Sequence, residues 1–237
     1  MGRTITILTW NIDARIENRA ERLAAVGETV RKLDPDILCF QEVLLATYGV
    51  LQRLLAAGCY VDSGFARSGS GLQTVLFARD KIAADFETVP LASRMGRTCV
   101  LARCRKLNLT VASCHMESFK HNVGRRSEQT LQIHRALLPE NAVVLSGDMN
   151  FILPQEGFPS PWLDVGPSEY TYDSLSNTSI RDGFRSRLDR IYVKCVGNID
   201  CRLVGTEPVD GVFPSDHFGI YAELTLTSQS EEPPPGG

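Results

Sequence analysis

Hydrophobic residues in the first quarter of the chain follow two different periods in turn. Apolar and polar residues alternate from Thr4 to Thr9, which predicts a strand. Between Glu17 and Leu33 apolar residues recur every three or four positions, the spacing of an amphipathic helix. The run from Asp36 to Phe40 predicts a second strand, and Val43 to Ala57 a second helix that stops at Gly58.

The rest of the pattern consists mostly of strands. They are predicted at Gln73–Phe77, Thr98–Cys104, Leu107–Ala112, Val143–Leu145, Arg190–Val196, Ile199–Gly205 and His217–Leu226, with a further helix at Asn122–Leu138. Arg105 and Lys106 indicate a tight hairpin, and the prolines of residues 151–166 a long surface loop. Helices scattered among many strands favour an α/β fold, a four-layer α/β/β/α sandwich of two mixed sheets flanked by helices.

Length and composition fit one domain. The chain has 237 residues, 43% apolar and 22% charged, which excludes collagen-like, coiled-coil and wholly disordered proteins. We expect one catalytic domain over residues 1–227. The tail, residues 228–237, is rich in Glu, Pro and Gly, cannot bury apolar surface and is predicted to be disordered.

Charge and cysteine content narrow the partners and the compartment. The net charge of −3 gives the whole molecule no attraction to polyanions, so any contact with nucleic acid must be local. The stretch from Arg94 to Arg135 is rich in Lys and Arg. It either supplies a local contact with nucleic acid or is a solvated basic face. The seven cysteines contain no CxxC pair, and no signal peptide or membrane span is recognisable, so an intracellular protein without membrane contact is expected.

Polar clusters lie at the ends of the predicted strands. They are Trp10–Asp13, Gln41–Glu42, His115–Ser118, Gly147–Asn150 and Ser215–His217, which we place at or just past the C-terminal strand ends. Each has a structural explanation when taken alone: Asn11 and Asp13 cap a turn, Glu42 begins a helix, His115 is a core histidine and His217 caps a strand. Together they predict one site.

The combination favours metal-assisted hydrolysis of a phosphodiester. Hard divalent cations bind oxygen, so Glu42, helped by Asp13 directly or through water, suits Mg²⁺, for which Mn²⁺ can substitute. The chain has four histidines and none at zinc-ligand spacing from a cysteine or another histidine.

Acid and base roles follow from the same clusters. Asp148 is the candidate general base for water, and Asn11 and Asn150 help to place the water or the phosphate. A protonated His217 would stabilise charge on the phosphoryl oxygens, and Asp189 is the carboxylate expected to orient its ring.

Several sequence motifs resemble a known family. TWN, QE, GDxN and SDH occur in this order, as in the endonuclease/exonuclease/phosphatase superfamily, and HMES, YTYD and FPSDHFG resemble its tyrosyl-DNA phosphodiesterase 2 branch. The resemblance implies a β sandwich flanked by helices and a Mg²⁺ site. It also implies removal of a topoisomerase tyrosine from a DNA 5′-phosphate, and hence DNA repair in the nucleus. By position it assigns catalysis to Asn11, Asp148, Asn150 and His217, metal binding to Glu42 and Asp13, and the scissile phosphate to His115 and Ser118.

The chain departs from the family pattern at positions that bear on substrate binding. Ile152 stands where an Arg is usual, Lys120 replaces an Arg, Tyr172 replaces a Trp, and Leu72 stands where an aromatic residue is expected. With Arg97 and Leu188, these residues complete the predicted substrate contacts. Lys loses the bidentate fork of Arg and Tyr keeps a ring, so weaker DNA binding with unchanged chemistry is expected.

Other functions share the same motifs. An abasic-site endonuclease or exonuclease, a hydrolase of RNA–protein linkages and an inositol phosphatase would use the same polar clusters with different loops. A binding module with decayed chemistry is a further alternative, against which the intact Asn11, Glu42, Asp148 and His217 argue. Protein partners and oligomeric state are not predicted.

Overall fold

The computed structural model describes residues 3–66 and 71–226. Its helices are α1 (Arg19–Leu33), α2 (Leu45–Leu55) and α3 (Val123–Leu137). Its strands are β1 (Arg3–Asn11), β2 (Ile37–Val43), β3 (Tyr60–Asp62), β4 (Gln73–Arg79), β5 (Ala84–Pro90), β6 (Thr98–Cys104), β7 (Leu109–His115), β8 (Ala142–Asp148), β9 (Leu163–Asp164), β10 (Tyr172–Asp173), β11 (Arg185–Ser186), β12 (Asp189–Lys194), β13 (Ile199–Val204) and β14 (Gly219–Leu226). The predicted tail, residues 228–237, lies outside the described residues.

Two six-stranded sheets form the centre of the molecule. The first has the order β13-β14-β1-β2-β4-β3 and the second β5-β6-β7-β8-β12-β9, while β10 and β11 pair as a small ribbon. In each six-stranded sheet one pair is parallel, β1 with β2 and β7 with β8, and the other pairs are antiparallel. Both sheets are therefore mixed, as predicted.

Strand alternation explains the layers. Along β1, Ile5 and Ile7 face the second sheet, whereas Leu8 and Trp10 face α1 and α2. On the other side of the molecule, α3 packs on the outer face of the second sheet through apolar residues such as Ile133. Each central strand buries both of its faces, and the α/β/β/α sandwich is confirmed.

Several predicted boundaries were wrong. Four residues separate Cys104 from its partner Leu109, and they form a short 3-10 turn with Asn108 at φ 50°, so the expected tight hairpin at Arg105 and Lys106 is a longer turn. The predicted loop of residues 151–166 contains β9, which pairs with β12. The edge strand β5 was missed because its exposed residues are mixed in character and leave no simple period.

None of the described helices has the length and apolar character needed to cross a bilayer.

Candidate active site

Strand pairing brings the polar clusters to one edge of the sandwich. Asn11 ends β1 beside Gln41 of β2, and Asp148 ends β8 beside His115 of β7. Asp189 begins β12 opposite Asp148, because β8 and β12 are antiparallel. Residues 215–217 were expected after a strand, but they precede β14, whose antiparallel pairing with β1 carries them to the same edge.

A close approach of two strands positions Asp148. The preceding Gly147 has φ 130°, and a Cβ atom there would overlap the carbonyl oxygen of Cys114 on β7. Only glycine fits this contact, which explains the Gly–Asp pair in the motif.

Asn11 links the two sheets across the site. Its Nδ2 donates to Glu42 Oε1 at 3.2 Å and to Asp148 Oδ2 at 3.1 Å. The amide is fully buried and its Oδ1 accepts the backbone N–H of Asp13. Glu42 and Asp148 therefore lie on either side of one side-chain amide.

Asp148 is surrounded by hydrogen-bond donors. Oδ1 accepts the backbone N–H of Asn150 at 3.0 Å, while Oδ2 lies 3.3 Å from His115 Nε2 and 3.9 Å from His217 Nε2. Burial raises the pKa of Asp148 to about 6; the charge of His217 opposes this shift, and that of Asp189 adds to it. The carboxyl remains ionised at neutral pH and is a stronger base than an ordinary aspartate.

His217 is oriented by a carboxylate. Its Nδ1 lies 2.7 Å from Asp189 Oδ2. Burial alone would lower the pKa of His217, but Asp189 and Asp148 outweigh it and hold the pKa well above the ordinary value. The ring is therefore protonated at neutral pH. Thr171 in turn fixes Asp189, because its hydroxyl oxygen accepts the backbone N–H groups of Leu188 and Asp189.

His115 differs from His217 in its charge state. Arg97 contacts its Nδ1 at 2.9 Å, and because a guanidinium only donates, Nδ1 must accept. Burial, assisted by the positive charge of Arg97, lowers the pKa of His115 well below the ordinary value. The ring is thus neutral, with its proton on Nε2. The other arm of Arg97 donates to Ser118 Oγ at 3.1 Å, so the three side chains form one continuous chain of contacts from the buried His115 to the half-buried Ser118.

Glu42 has the character of a ligand for a hard cation. It lies in the left-handed region at φ 58°, where an irregularity between Phe40 and Val43 interrupts the pairing of β2 with β4. Each carboxylate oxygen accepts one hydrogen bond, from Asn11 and from the Ala14 backbone, and has a free lone pair. The side chain is only half-buried, so water can complete a cation's shell.

Asp13 does not fit as a direct metal ligand. Its carboxylate accepts bidentate bonds from Arg15 and pairs with the buried Arg22 at 2.8 Å. Direct coordination would have to displace an arginine, so the arrangement is compatible only with contact through water. Arg15 and Arg22 were not foreseen, since nothing in the spacing distinguishes them from surface arginines.

Asp148, Asp189 and His217 place ligand atoms within 4.8 Å of one another. His217 Nδ1 already lies against Asp189, and the raised pKa of His217 implies a proton that a metal would have to displace. The donor set at Glu42 therefore fits Mg²⁺ better than this trio does.

The remaining predicted catalytic and substrate-binding residues differ in how they are placed. Asn150 donates its side-chain amide to Met116 O and lies against the site, and the ring of Tyr172 lies edge-on to His217, with centroids 5.2 Å apart. Lys120 is exposed, two residues after Ser118. Leu188 is buried and contributes through its backbone.

Leu72 and Ile152 lie on two separate loops. Leu72 lies half-buried just before β4, and the backbone of Ile152 binds Glu156.

The basic stretch of residues 94–135 does not form one face. Arg103 pairs with Glu87 and Glu140, Arg105 pairs with Asp85, and the fully buried Arg126 pairs with Glu156. Among the basic residues of this stretch, Arg97 contacts the site directly, through His115 and Ser118.

A model of the Endonuclease/Exonuclease/phosphatase family matches residues 8–217, which include every residue of this cluster. The chain belongs to that family. Tyrosyl-DNA phosphodiesterase 2 of Homo sapiens is 27% identical over 252 residues, covering 95% of this chain and 69% of the human protein. The 5′-tyrosyl-DNA phosphodiesterase of Caenorhabditis briggsae is 27% identical over 252 residues, covering 94% and 70%.

Solved structures confirm the fold. D. rerio TDP2 complexed with single strand DNA product superposes with a TM-score of 0.81 at 24% identity, covering 93% of this chain and 98% of that one. The human Nocturnin catalytic domain gives 0.70 at 20% identity, covering 94% and 95%. The family and the named relatives together confirm the prediction of an enzyme that hydrolyses phosphodiesters and its resemblance to tyrosyl-DNA phosphodiesterase 2.

Proposed function

We propose that this enzyme is a Mg²⁺-dependent 5′-tyrosyl-DNA phosphodiesterase. It would hydrolyse the bond between a DNA 5′-phosphate and a trapped topoisomerase tyrosine, leaving a 5′-phosphate. The observation that carries the proposal is the Asn11 amide, which donates to both Glu42 and Asp148. The neutral His115 and the protonated His217 lie beside the same Asp148 carboxylate. The relatives named for this activity match nearly the whole chain. If DNA is the substrate, a nuclear location is favoured.

The residues divide the chemistry between them. Asp148 accepts a proton from the attacking water, and Asn11 and Asn150 hold the carboxylate and the water in place. His217 donates from Nε2 to a phosphoryl oxygen, while Asp189 keeps its ring oriented. His115 Nε2–H and the Ser118 hydroxyl bind the remaining oxygens of the phosphate.

Glu42 would hold the cation, with Asp13 reaching it through water. When bound, Mg²⁺ supplies Lewis-acid polarisation of a phosphoryl oxygen. The leaving group also helps, because a phenolate with a reference pKa of about 10 departs more readily than a sugar alkoxide.

A comparison of substrates tests the proposal. Purified enzyme with Mg²⁺ is given a 5′-phosphotyrosyl oligonucleotide, an abasic duplex and an inositol polyphosphate, and kcat/KM is measured for each. We expect the phosphotyrosyl strand to be preferred. Preference for either of the others would reject the proposed substrate while keeping the phosphodiesterase chemistry.

A matched pair of variants links that turnover to this site. Asp148→Asn should lower kcat by about 10²- to 10⁴-fold, the contribution of a positioned base. Asp210→Asn, on an exposed loop, is the control and should leave kcat unchanged. Equal rates for Asp148→Asn and wild type would remove Asp148 from its assigned role.

A further inference from the structure

An exposed aromatic residue lies beside the phosphate-binding side chains. Phe119 follows Ser118 directly, and its side chain is 60% exposed. Ser118 connects through Arg97 to His115, so the ring stands one residue from the chain of contacts that ends at Asp148. Burial in the core does not explain this phenylalanine.

The backbone of Phe119 is held in an unfavourable conformation. It has φ 72° and ψ 143°, a region that glycine tolerates and other residues rarely adopt, at a typical cost of about 1–3 kcal/mol. Arg126 Nη1 and the backbone N–H of Asn122 both donate to Phe119 O, at 2.7 and 3.1 Å. Arg126 is itself fixed by the carboxylate of Glu156. These two hydrogen bonds fix the Phe119 carbonyl, while the Phe119 ring stays exposed to solvent.

The next two residues add a positive charge and a second ring. The His121 ring is nearly parallel to that of Phe119, with centroids 5.8 Å apart and planes 8° apart. Lys120 lies between them in sequence and is exposed. Arg94 is also exposed, and its backbone N–H donates to the buried carboxylate of Glu117, two residues before Phe119. We call Phe119, Lys120 and His121 the aromatic rim. Its charge suits a polyanion, and its parallel rings suit a flat partner.

We propose that the aromatic rim stacks against a nucleobase of the strand whose 5′-phosphate occupies the active site, with Lys120 facing the next phosphate. The inference rests on the proposed function, because it assigns the strand to the Ser118 side of the scissile phosphate. Exposed rings combined with lysines are how proteins hold single strands without reading their sequence. A peptide attached to the tyrosine is the alternative occupant, which the positive charge disfavours.

Binding of a strand that needs no hydrolysis tests the rim. A 5′-phosphorylated single strand carrying 2-aminopurine near its 5′ end is titrated with the full chain, and quenching of its fluorescence reports stacking. Phe119→Ala should bind about 5- to 150-fold more weakly and lose the quenching, the range expected for one stacked base. Phe119→Leu should behave like the alanine variant and Phe119→Tyr like wild type, because the ring and not apolar area carries the effect.

Leu163→Ala is the control, since Leu163 is also exposed but lies on β9, beside the end of β12 away from Asp189. Equal affinity and quenching in wild type and Phe119→Ala would overturn the inference. It would also fail if Phe119→Ala raised KM only for substrates with residues flanking the tyrosine, which would assign the rim to the peptide. Quenching by wild-type enzyme that does not hydrolyse phosphotyrosyl DNA would reject the proposed function and leave the rim standing.

Discussion

Arg97 determines which nitrogen of His115 carries a proton. A guanidinium has five donors and no acceptor, so the 2.9 Å contact fixes Nδ1 as the acceptor and leaves the proton on Nε2, 3.3 Å from Asp148. The neutral imidazole can therefore only donate at Nε2, either to the Asp148 carboxylate or to an oxygen of a bound phosphate. Sequence reasoning named both residues as substrate contacts, but their mutual bond depends on tertiary packing.

Replacing Arg97 should release the tautomer. In Arg97→Met we expect the Nε2–H form to lose its dominance, and the pKa of His115 to rise toward the ordinary value near 6.5 because a neighbouring positive charge is gone. Nitrogen chemical shifts of the imidazole, followed by NMR against pH, measure both effects. Arg94→Met is the control, since the Arg94 side chain is exposed. Unchanged ring shifts in Arg97→Met would show that the Asp148 carboxylate beside Nε2 sets the tautomer without Arg97.

Glu42 should determine the metal requirement. Because it offers the half-buried carboxylate with free lone pairs, Glu42→Ala should bind Mg²⁺ at least tenfold more weakly, and raised Mg²⁺ should restore part of the activity. Calorimetric titration of the metal and Mg²⁺-dependent turnover give the two readouts. Glu28→Ala, on the exposed face of α1, is the control. The same metal affinity in Glu42→Ala and wild type would place the cation elsewhere.

Polar residues at strand ends could be recognised in sequence, because they interrupt apolar runs. Their supports could not: Arg22 and Thr171 look like ordinary surface residues until the fold brings Asp13 and Asp189 to them. In the same way, the sequence does not show that the Asp13 carboxylate, a candidate metal ligand, already accepts a hydrogen bond from Arg15.

Among the elements, β7 and β8 approach so closely at Gly147 that a side chain is excluded. Gly147→Ala should lower the free energy of unfolding by about 3 kcal/mol or more, through the overlap with Cys114 O and the positive φ. Gly124→Ala is the matched control in α3, where a Cβ meets nothing within 4 Å, and it should be neutral or up to about 1 kcal/mol more stable. Urea unfolding measures both. A Gly147→Ala protein as stable as wild type would mean that β7 and β8 can move apart at this position without cost.

α3 is tied to the loops around the site by Arg126 and Glu156. Burial would raise the pKa of Glu156, but bonds from Arg126 and from two backbone amides outweigh it, so the pKa lies below the ordinary value. Its contribution to stability is therefore full above pH 4.5 and is lost as pH falls through the folded-state pKa.

Glu156→Gln should lower the free energy of unfolding by about 3–5 kcal/mol at pH 7, because it leaves the buried Arg126 unpaired. The difference from wild type should shrink as urea unfolding is repeated down to pH 4. The exposed Glu128→Gln on the same helix should show neither effect. A penalty that is constant with pH would argue for lost packing and not for lost charge.

Element prediction succeeded where a strong period was present. The first strands and the helices α1 and α3 are apolar on a face that the core covers, so their pattern survives in sequence. Short or exposed pieces such as β9, β10 and β11 owe their form to pairing partners far along the chain, and two-residue strands carry no period of their own.

At the scale of the molecule, the apolar layer between the sheets belongs to both of them. Ile7 and Leu76 from one sheet share it with Val100 and Val144 from the other. Periodicity indicated strands and helices, but it did not predict the strand order, because alternation does not specify which strands are neighbours.

The shared layer predicts a single unfolding transition. The two tryptophans report separately, since Trp10 is buried between the first sheet and its helices and Trp162 lies in the cluster beneath α3. Fluorescence of Trp162→Phe follows Trp10, and that of Trp10→Phe follows Trp162. In each variant the fluorescence and circular dichroism midpoints in urea should coincide. Separate midpoints within one variant would reveal two independently folding halves.

Arg3 at the start of β1 pairs with Leu226 at the end of β14. The two ends of the described chain therefore emerge side by side, and the length of β1, about 25 Å, separates them from Asn11. A folded domain joined directly to Arg3 or Leu226 would therefore begin about 25 Å from Asn11 and leave the active-site edge accessible.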